Sequence, residues 1–121
     1  MLNKRNFYIN GKWVAPSKSN DFEVINPSNE EPFATISLGY KEDANAAVKA
    51  ATNAFIKWKE TSKEERIDLL EKLLSIYKER FNEMSEAISV EMGSPIDYSS
   101  STHTASGQSH LEDFILRLKE F

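Results

Sequence analysis

Two histidines and a run of hydroxyls in the last quarter of the chain are the first residues that could do chemistry. His103 and His110 stand seven apart, about two helical turns. Two imidazoles on one helix converge on a metal best at i,i+4, and no third ligand accompanies these. They read as surface or interface histidines. Asp97, Ser99 and His103 contain the residue types of a hydrolytic triad. A triad draws a strained or buried serine, its base and a carboxylate from separate elements. Three residues at one serine-rich helix start read instead as a polar face or N-cap. Glu60, Glu64, Glu65, Glu71, Glu79, Glu83 and Glu86 supply carboxylates, but general acid work needs one desolvated beside a cleft. These are spread around exposed helix positions. Trp13 and Trp58 read as core or subunit-contact anchors before ligand platforms. There is no cysteine, and so no thiol nucleophile, thiolate metal site or disulfide. The four glycines, at 11, 39, 93 and 107, lie too far apart for a phosphate-cradling loop or a dinucleotide fingerprint. From the residues alone, no catalytic and no cofactor-binding residue is expected.

The elements that would position such residues fall into two regions, strands over 1–40 and helices over 41–121. In Phe7–Val14, FYINGKWV, strand formers flank Asn10-Gly11, a pair suited to a type I′ turn. Pro16–Asn20 is a loop by composition, Phe22–Ile25 is extended ahead of Pro27, and Pro27–Glu30 turns. Phe33–Leu38 returns as a strand with Ala34, Ile36 and Leu38 on one face. From Lys41 the period changes, and Ala44, Ala47, Val48, Ala51, Phe55 and Trp58 form one apolar helical stripe. Ser62-Lys63-Glu64-Glu65 is a capping box. It opens a helix striped by Ile67, Leu70, Leu74, Tyr77 and Phe81, with Asp68 and Lys72 spaced for an i,i+4 ion pair. Helix continues through Met84, Ala87 and Ile88, after a break near Asn82, until Gly93 gives a left-handed stop and Pro95 delays the next helix. A last helix from about Ile96 carries Leu111, Phe114, Ile115 and Leu118 in register. Its first half, with Ser99, Ser100, Ser101 and Gly107, is polar and weakly helical.

Composition sets outer limits. At 121 residues the chain holds one domain with a modest core, and its 40% apolar content is ordinary for a folded protein. A net charge of −4 argues against nucleic-acid binding, which depends on neutralising phosphates. No apolar run is long enough to span a bilayer, and MLNKRNFYIN lacks the apolar stretch of a signal peptide, so a cytoplasmic location is expected.

The landmarks, taken in order, form a pattern. FYINGKWV is followed by FEVINPSNEEPFATI, then EDANAAVKAATNAFIKW, then EERIDLLEKLLSIYKERFNEMSEAISVEMGSPI. Together they resemble the N-terminal segment of the NAD(P)-dependent aldehyde dehydrogenase superfamily. The shared phrases are the Asn-Gly-x-Trp hairpin, the Asn-Pro turn after Phe-x-Val, and an Asp-x-x-x-Ala-Val-x-x-Ala helix ending in Phe-x-x-Trp. An arginine heading the next helix and a Glu-x-Gly-x-Pro stop complete them. Each phrase is weak singly, and five at matching intervals cover nearly all of the chain. Ser94 stands where members often carry a lysine.

The resemblance implies an α+β architecture: a β-hairpin and strands followed by three or four helices. These would form part of the α/β cofactor-binding domain without its Rossmann nucleotide site. The chain is then expected to be one partial domain, a catalytically inactive N-terminal fragment. The whole enzyme would oxidise an aldehyde to a carboxylic acid with NAD or NADP, through a cysteine thiolate that this sequence does not contain. The resemblance also implies a monovalent cation held by the backbone carbonyls of Val24 and Ile25 and the carboxylate of Glu91, oxygen ligands suited to a hard cation. Expected partners are the remainder of an aldehyde dehydrogenase chain or subunit, or further copies of this chain, with no nucleic acid and no membrane. The alternative is a stand-alone helical interaction module that docks on a full-length relative.

Overall fold

A computed structural model describes residues 1–121. Five strands precede the helices: β1 (Leu2–Lys4), β2 (Phe7–Ile9), β3 (Lys12–Val14), β4 (Asp21–Asn26) and β5 (Glu31–Ser37). Five helices follow: α1 (Lys41–Trp58), α2 (Lys63–Glu79), α3 (Phe81–Met92), the single turn α4 (Ile96–Tyr98) and α5 (Ala105–Glu120). Residues Ser99–Thr104, between α4 and α5, wind as a π-helix. The α+β architecture read from the sequence is the one observed. The chain divides into two compact units, Met1–Glu60 and Thr61–Phe121, so that α1 belongs with the strands.

In the first unit, Asn10 and Gly11 both take positive φ, 54° and 73°, as a type I′ turn requires. They join β2 to β3 with Tyr8 opposite Trp13, ring centroids 5.3 Å apart. The second sheet has the order β1-β5-β4, with β4–β5 antiparallel and β1–β5 parallel. No local signal in the sequence marks β1, whose partner lies about thirty residues on. As the central strand, β5 buries Ala34, Thr35 and Ser37, while Leu38 is exposed. The expected Ala34–Ile36–Leu38 face is therefore only partly realised, because a central strand is covered on both sides. Asp43 ties this unit together. Its carboxylate accepts the Tyr40 backbone N–H at 2.9 Å, closing the start of α1, and also the Ser17 N–H at 2.7 Å and hydroxyl at 3.0 Å. These donors, the Tyr40 N–H foremost, hold the Asp43 carboxyl below the ordinary carboxylate range. The stripe expected on α1 is apolar and helical, yet no residue of α1 is buried.

In the second unit the capping box forms as the sequence requires. The Glu65 N–H donates to the Ser62 hydroxyl at 3.1 Å, and the Ser62 N–H donates to the Glu65 carboxylate at 2.7 Å. The α2 stripe, Ile67, Leu70, Leu74 and Tyr77, is half-buried, whereas its neighbours Leu69, Leu73 and Ile76 are exposed. Across to α5 this face meets Ile115, which is buried, and ion pairs run along its rim: Lys78–Glu112 at 2.7 Å and Lys119–Glu71 at 2.6 Å. Asp68 and Lys72, spaced to pair, form no ion pair, and Phe114, expected on the buried stripe of α5, is exposed. Helix breaks come at Arg80, two residues before the expected position, and at Gly93, whose φ of 70° makes the left-handed stop.

The last segment differs most from expectation. Its polar first half, read as weakly helical, is helical throughout and is the best-buried part of the unit. Ser99 and Thr104 are fully buried, and Ser85 of α3 nearly so. The Ser85 and Thr104 hydroxyls lie 2.9 Å apart, and the Tyr77 hydroxyl donates to the Thr104 carbonyl at 3.0 Å. Small hydroxyl residues allow helix backbones to approach closely where larger side chains would hold them apart. Gly107 serves the same end: a Cβ there would overlap the Tyr77 hydroxyl and stand 3.1 Å from its Cζ.

Candidate functional site

Of the residues expected to hold a cation, Val24 and Ile25 belong to the first unit and Glu91 to the second. Val24 and Ile25 are central in β4, and the pairing register with β5 shifts between them. Ile25 pairs with Pro32, which has no N–H and cannot donate into the ladder there. An irregularity of this kind turns backbone carbonyls out of regular pairing, which is what a carbonyl ligand set needs. Glu91 is exposed on the last turn of α3, one residue before Met92 and two before the Gly93 stop. No group of three or more His, Asp or Glu side chains is gathered as a metal site.

The residues set aside in the sequence are placed without catalytic geometry. Ser99 is fully buried and its hydroxyl has no partner, so no substrate reaches it. His103 packs edge-on against Tyr98, centroids 5.1 Å apart, and His110 is exposed on α5. Four of the carboxylates are engaged at the surface: Glu83 with Arg80 at 2.8 Å, Glu60 with Lys59 at 3.5 Å, Glu71 with Lys119, and Glu65 in its cap. The Arg80 guanidinium lowers the Glu83 carboxyl through a hydrogen bond, and Lys78 does the same to Glu112. Neither is the raised carboxyl of a general acid. Trp13 and Trp58 are not core within this chain, since Trp13 is 70% exposed and Trp58 is 44%.

Three hollows stand out. One, about 390 Å³, lies between α2 and α3 and is lined by Leu73, Ile76, Tyr77, Met84 and Ala87, with Arg80 and Glu83 at its edge. A second, also about 390 Å³, lies among Ile9, Lys12, Val14, Ser17, Asp43 and Ala46, where the Asp43 carboxylate is taken up by Ser17 and Tyr40. A third, about 460 Å³, lies beside Trp13 among Asn3, Lys4, Arg5 and Asn6, where Asp21 engages Arg5 at 2.8 Å. None joins a nucleophile to a free base. The four glycines are occupied elsewhere: Gly11 in the hairpin, Gly39 beside the Phe7 ring, Gly93 at a helix stop and Gly107 under Tyr77. None opens a turn onto a helix of the sort a dinucleotide needs. Sequence reasoning gave Thr104 no role, took Asp43 only as part of a family phrase and read Gly107 as a weak point in a helix. Of these only Asp43 carried a local signal, an acid at the third position of a helix.

Comparison with known proteins places this arrangement. The sequence profile of the aldehyde dehydrogenase family matches residues 13–119. An aldehyde dehydrogenase of Bartonella henselae of known structure superposes over the whole chain with a TM-score of 0.99 and 52% identity, and the chain covers 25% of it. The AldC aldehyde dehydrogenase of Pseudomonas syringae, solved as a mutant with NAD+ and octanal, gives a TM-score of 0.94 at 32% identity, over 97% of this chain and 24% of that one. The 3-succinoylsemialdehyde-pyridine dehydrogenase of a Pseudomonas species is 43% identical over 79% of this chain and 20% of its own length. The chain thus spans a fifth to a quarter of the length of the relatives it matches. Fold, landmarks and relatives agree: the chain belongs to the aldehyde dehydrogenase family.

Proposed function

We propose that this chain is the leading part of an NAD(P)-dependent aldehyde dehydrogenase. The whole protein would oxidise an aldehyde to a carboxylic acid, and both units here would belong to a single cofactor-binding domain. The chain itself contributes scaffold and supplies no reacting group. One observation carries this reading: α1 has an apolar stripe without a buried residue, and Val48, Phe55 and Trp58 on it are exposed. A stripe of that size on a domain of this size is a face made to be covered. The cover is the rest of the dehydrogenase chain or a neighbouring subunit. NAD or NADP, when bound to the whole enzyme, would accept the hydride. The residues of this chain do not fit a dinucleotide and would supply no group to the hydride transfer.

The test is a chimera in which this chain replaces the corresponding quarter of the Bartonella henselae enzyme. Aldehyde-dependent reduction of NAD or NADP within about tenfold of the parent supports the scaffold role, a loss of about 1.4 kcal/mol at most. A chimera with the parent's melting temperature and assembly state but no turnover would refute it. The separate 121-residue chain should bind no dinucleotide in calorimetry. A micromolar dissociation constant would contradict that.

Val24, Ile25 and Glu91 would form a structural monovalent cation site in the whole protein, supported by the shifted register in β4 and the missing donor at Pro32. In the chimera, replacing sodium or potassium by choline at constant ionic strength should lower the melting temperature, and Glu91→Gln should abolish that difference. Equal melting in all three salts removes the site.

A further inference from the structure

The helical run from Ile96 to Glu120 changes its winding part-way, and the change is written into its contacts. Ser99–Thr104 is π-helical between two α-helical stretches. A π-turn takes in one more residue than an α-turn, and such turns concentrate where a helix does more than span a distance. Two pairs five residues apart depend on it. Ser99 and Thr104 are both fully buried, and Tyr98 and His103 meet edge-on at 5.1 Å with their planes at 85°. In α winding, residues five apart point about 140° away from each other. Neither pair could then share a face.

The two flanks of the π segment are held unequally. On the C-terminal side, Thr104 is joined to Ser85 and Tyr77, and the Tyr77 ring lies over Gly107. On the N-terminal side, α4 is a single turn behind the Gly93–Pro95 break, with Ile96 48% and Tyr98 53% exposed. Ser99, held in the buried slot, has a hydroxyl without a partner. The residues able to replace it there are the same residue type, since Ser99, Ser100 and Ser101 are consecutive.

We propose that Ser99–Thr104 is a register switch. With α5 fixed by Thr104 and Gly107, the extra residue passes out through α4 into the Gly93–Pro95 turn, leaving a continuous α-helix. Ser100 then takes the slot beside Thr104, one α-turn away at i,i+4, and its hydroxyl can bond the carbonyl four residues back. Ser99 leaves the slot, and Tyr98 and His103 separate. The switch thus makes or dissolves a phenol–imidazole pair on the surface of the second unit without altering the buried contacts of α5.

Relaxation-dispersion NMR on the full 121-residue chain tests this on the microsecond–millisecond scale. Amides of residues 94–103 should show exchange with one shared rate, and those of 105–120 should be flat. Deleting Ser100 removes the extra residue and leaves Ser99 and Thr104, like Tyr98 and His103, four apart in an α-helix, so it should abolish the exchange, keep the Tyr98–His103 ring contact, and leave the melting temperature within about 5 °C of the parent. A wild-type segment without dispersion overturns the switch, as does exchange spread evenly through α5. Exchange that persists in the Ser100 deletion, which has no extra residue to pass out, overturns it equally.

Discussion

Helix α1 and the α3–π–α5 seam invert the ordinary rule of burial. α1 carries a continuous apolar stripe and buries none of it, while the seam is built from Ser85, Ser99, Thr104 and Gly107 and is the tightest packing in the second unit. Amphipathic spacing states which face of a helix requires a partner. It does not state whether that partner lies in the same 121 residues. The seam needs no such spacing, because a hydroxyl that finds an acceptor, or a glycine under an aromatic ring, lets two backbones come together wherever the chain brings them.

The comparison is broken most severely at Gly107. Gly107→Ala gains about 1 kcal/mol of helix propensity but forces the added methyl against the Tyr77 ring, and a net loss of about 2 kcal/mol is expected from denaturant unfolding. Thr104→Val keeps the shape of the side chain and removes the hydrogen bond to Ser85, whose hydroxyl keeps the Phe81 carbonyl at 3.0 Å. It should cost about 1 kcal/mol, the net worth of one hydrogen bond. Ser62→Ala, which removes a cap at the surface, should cost about 1 kcal/mol. On α1 the expected effect is the smallest. Phe55→Ser should change the stability of the separate chain by no more than about 0.5 kcal/mol while reducing its binding of a hydrophobic dye. In the chimera the same change should be costly, on the order of 3 kcal/mol, because there the ring would be covered. Equal losses in both settings would mean that the α1 stripe is never covered.

Asp43 sharpens the contrast through pH. Its folded-state carboxyl is depressed from an ordinary value of 3.8 by hydrogen bonds to the charged form. The stability it lends is therefore present above that value and is lost as pH falls through the lower folded value. Asp43→Asn should flatten the acid limb of the first unit's unfolding curve. No change in that limb would show the Ser17 and Tyr40 contacts to be energetically idle.

What could be read from the sequence had chemistry within four residues of itself. Asn10-Gly11, the Ser62–Glu65 box and the Gly93 stop are local, and each is found where its residues require. The α2 stripe is half-buried at the predicted positions because its partner α5 lies in the same chain. The strand β1 was missed because its pairing is decided by β5, far along the sequence. Ser99 was read as part of a polar helix face or N-cap, and Ser85 and Thr104 were given no role, because a hydroxyl's burial depends on partners that spacing does not reveal. Gly107 was read as a weak point in a helix, when it is a point of close approach. The candidate cation ligands came only from family resemblance, since a backbone carbonyl leaves no signature in residue type.

The parallel pairing of β1 with β5 fixes an order of assembly. β4 and β5 are joined by the four-residue turn Pro27–Glu30 and can zip locally, as can β2 and β3 around Asn10-Gly11. Leu2 must wait for Ala34. Closing a loop of about thirty residues costs entropy that only three residue pairs repay. Of these five strands, the earliest in the sequence is therefore the last to dock. In the finished protein it is the first to open, so amide hydrogens of Leu2–Lys4 should exchange ahead of those in β4 and β5.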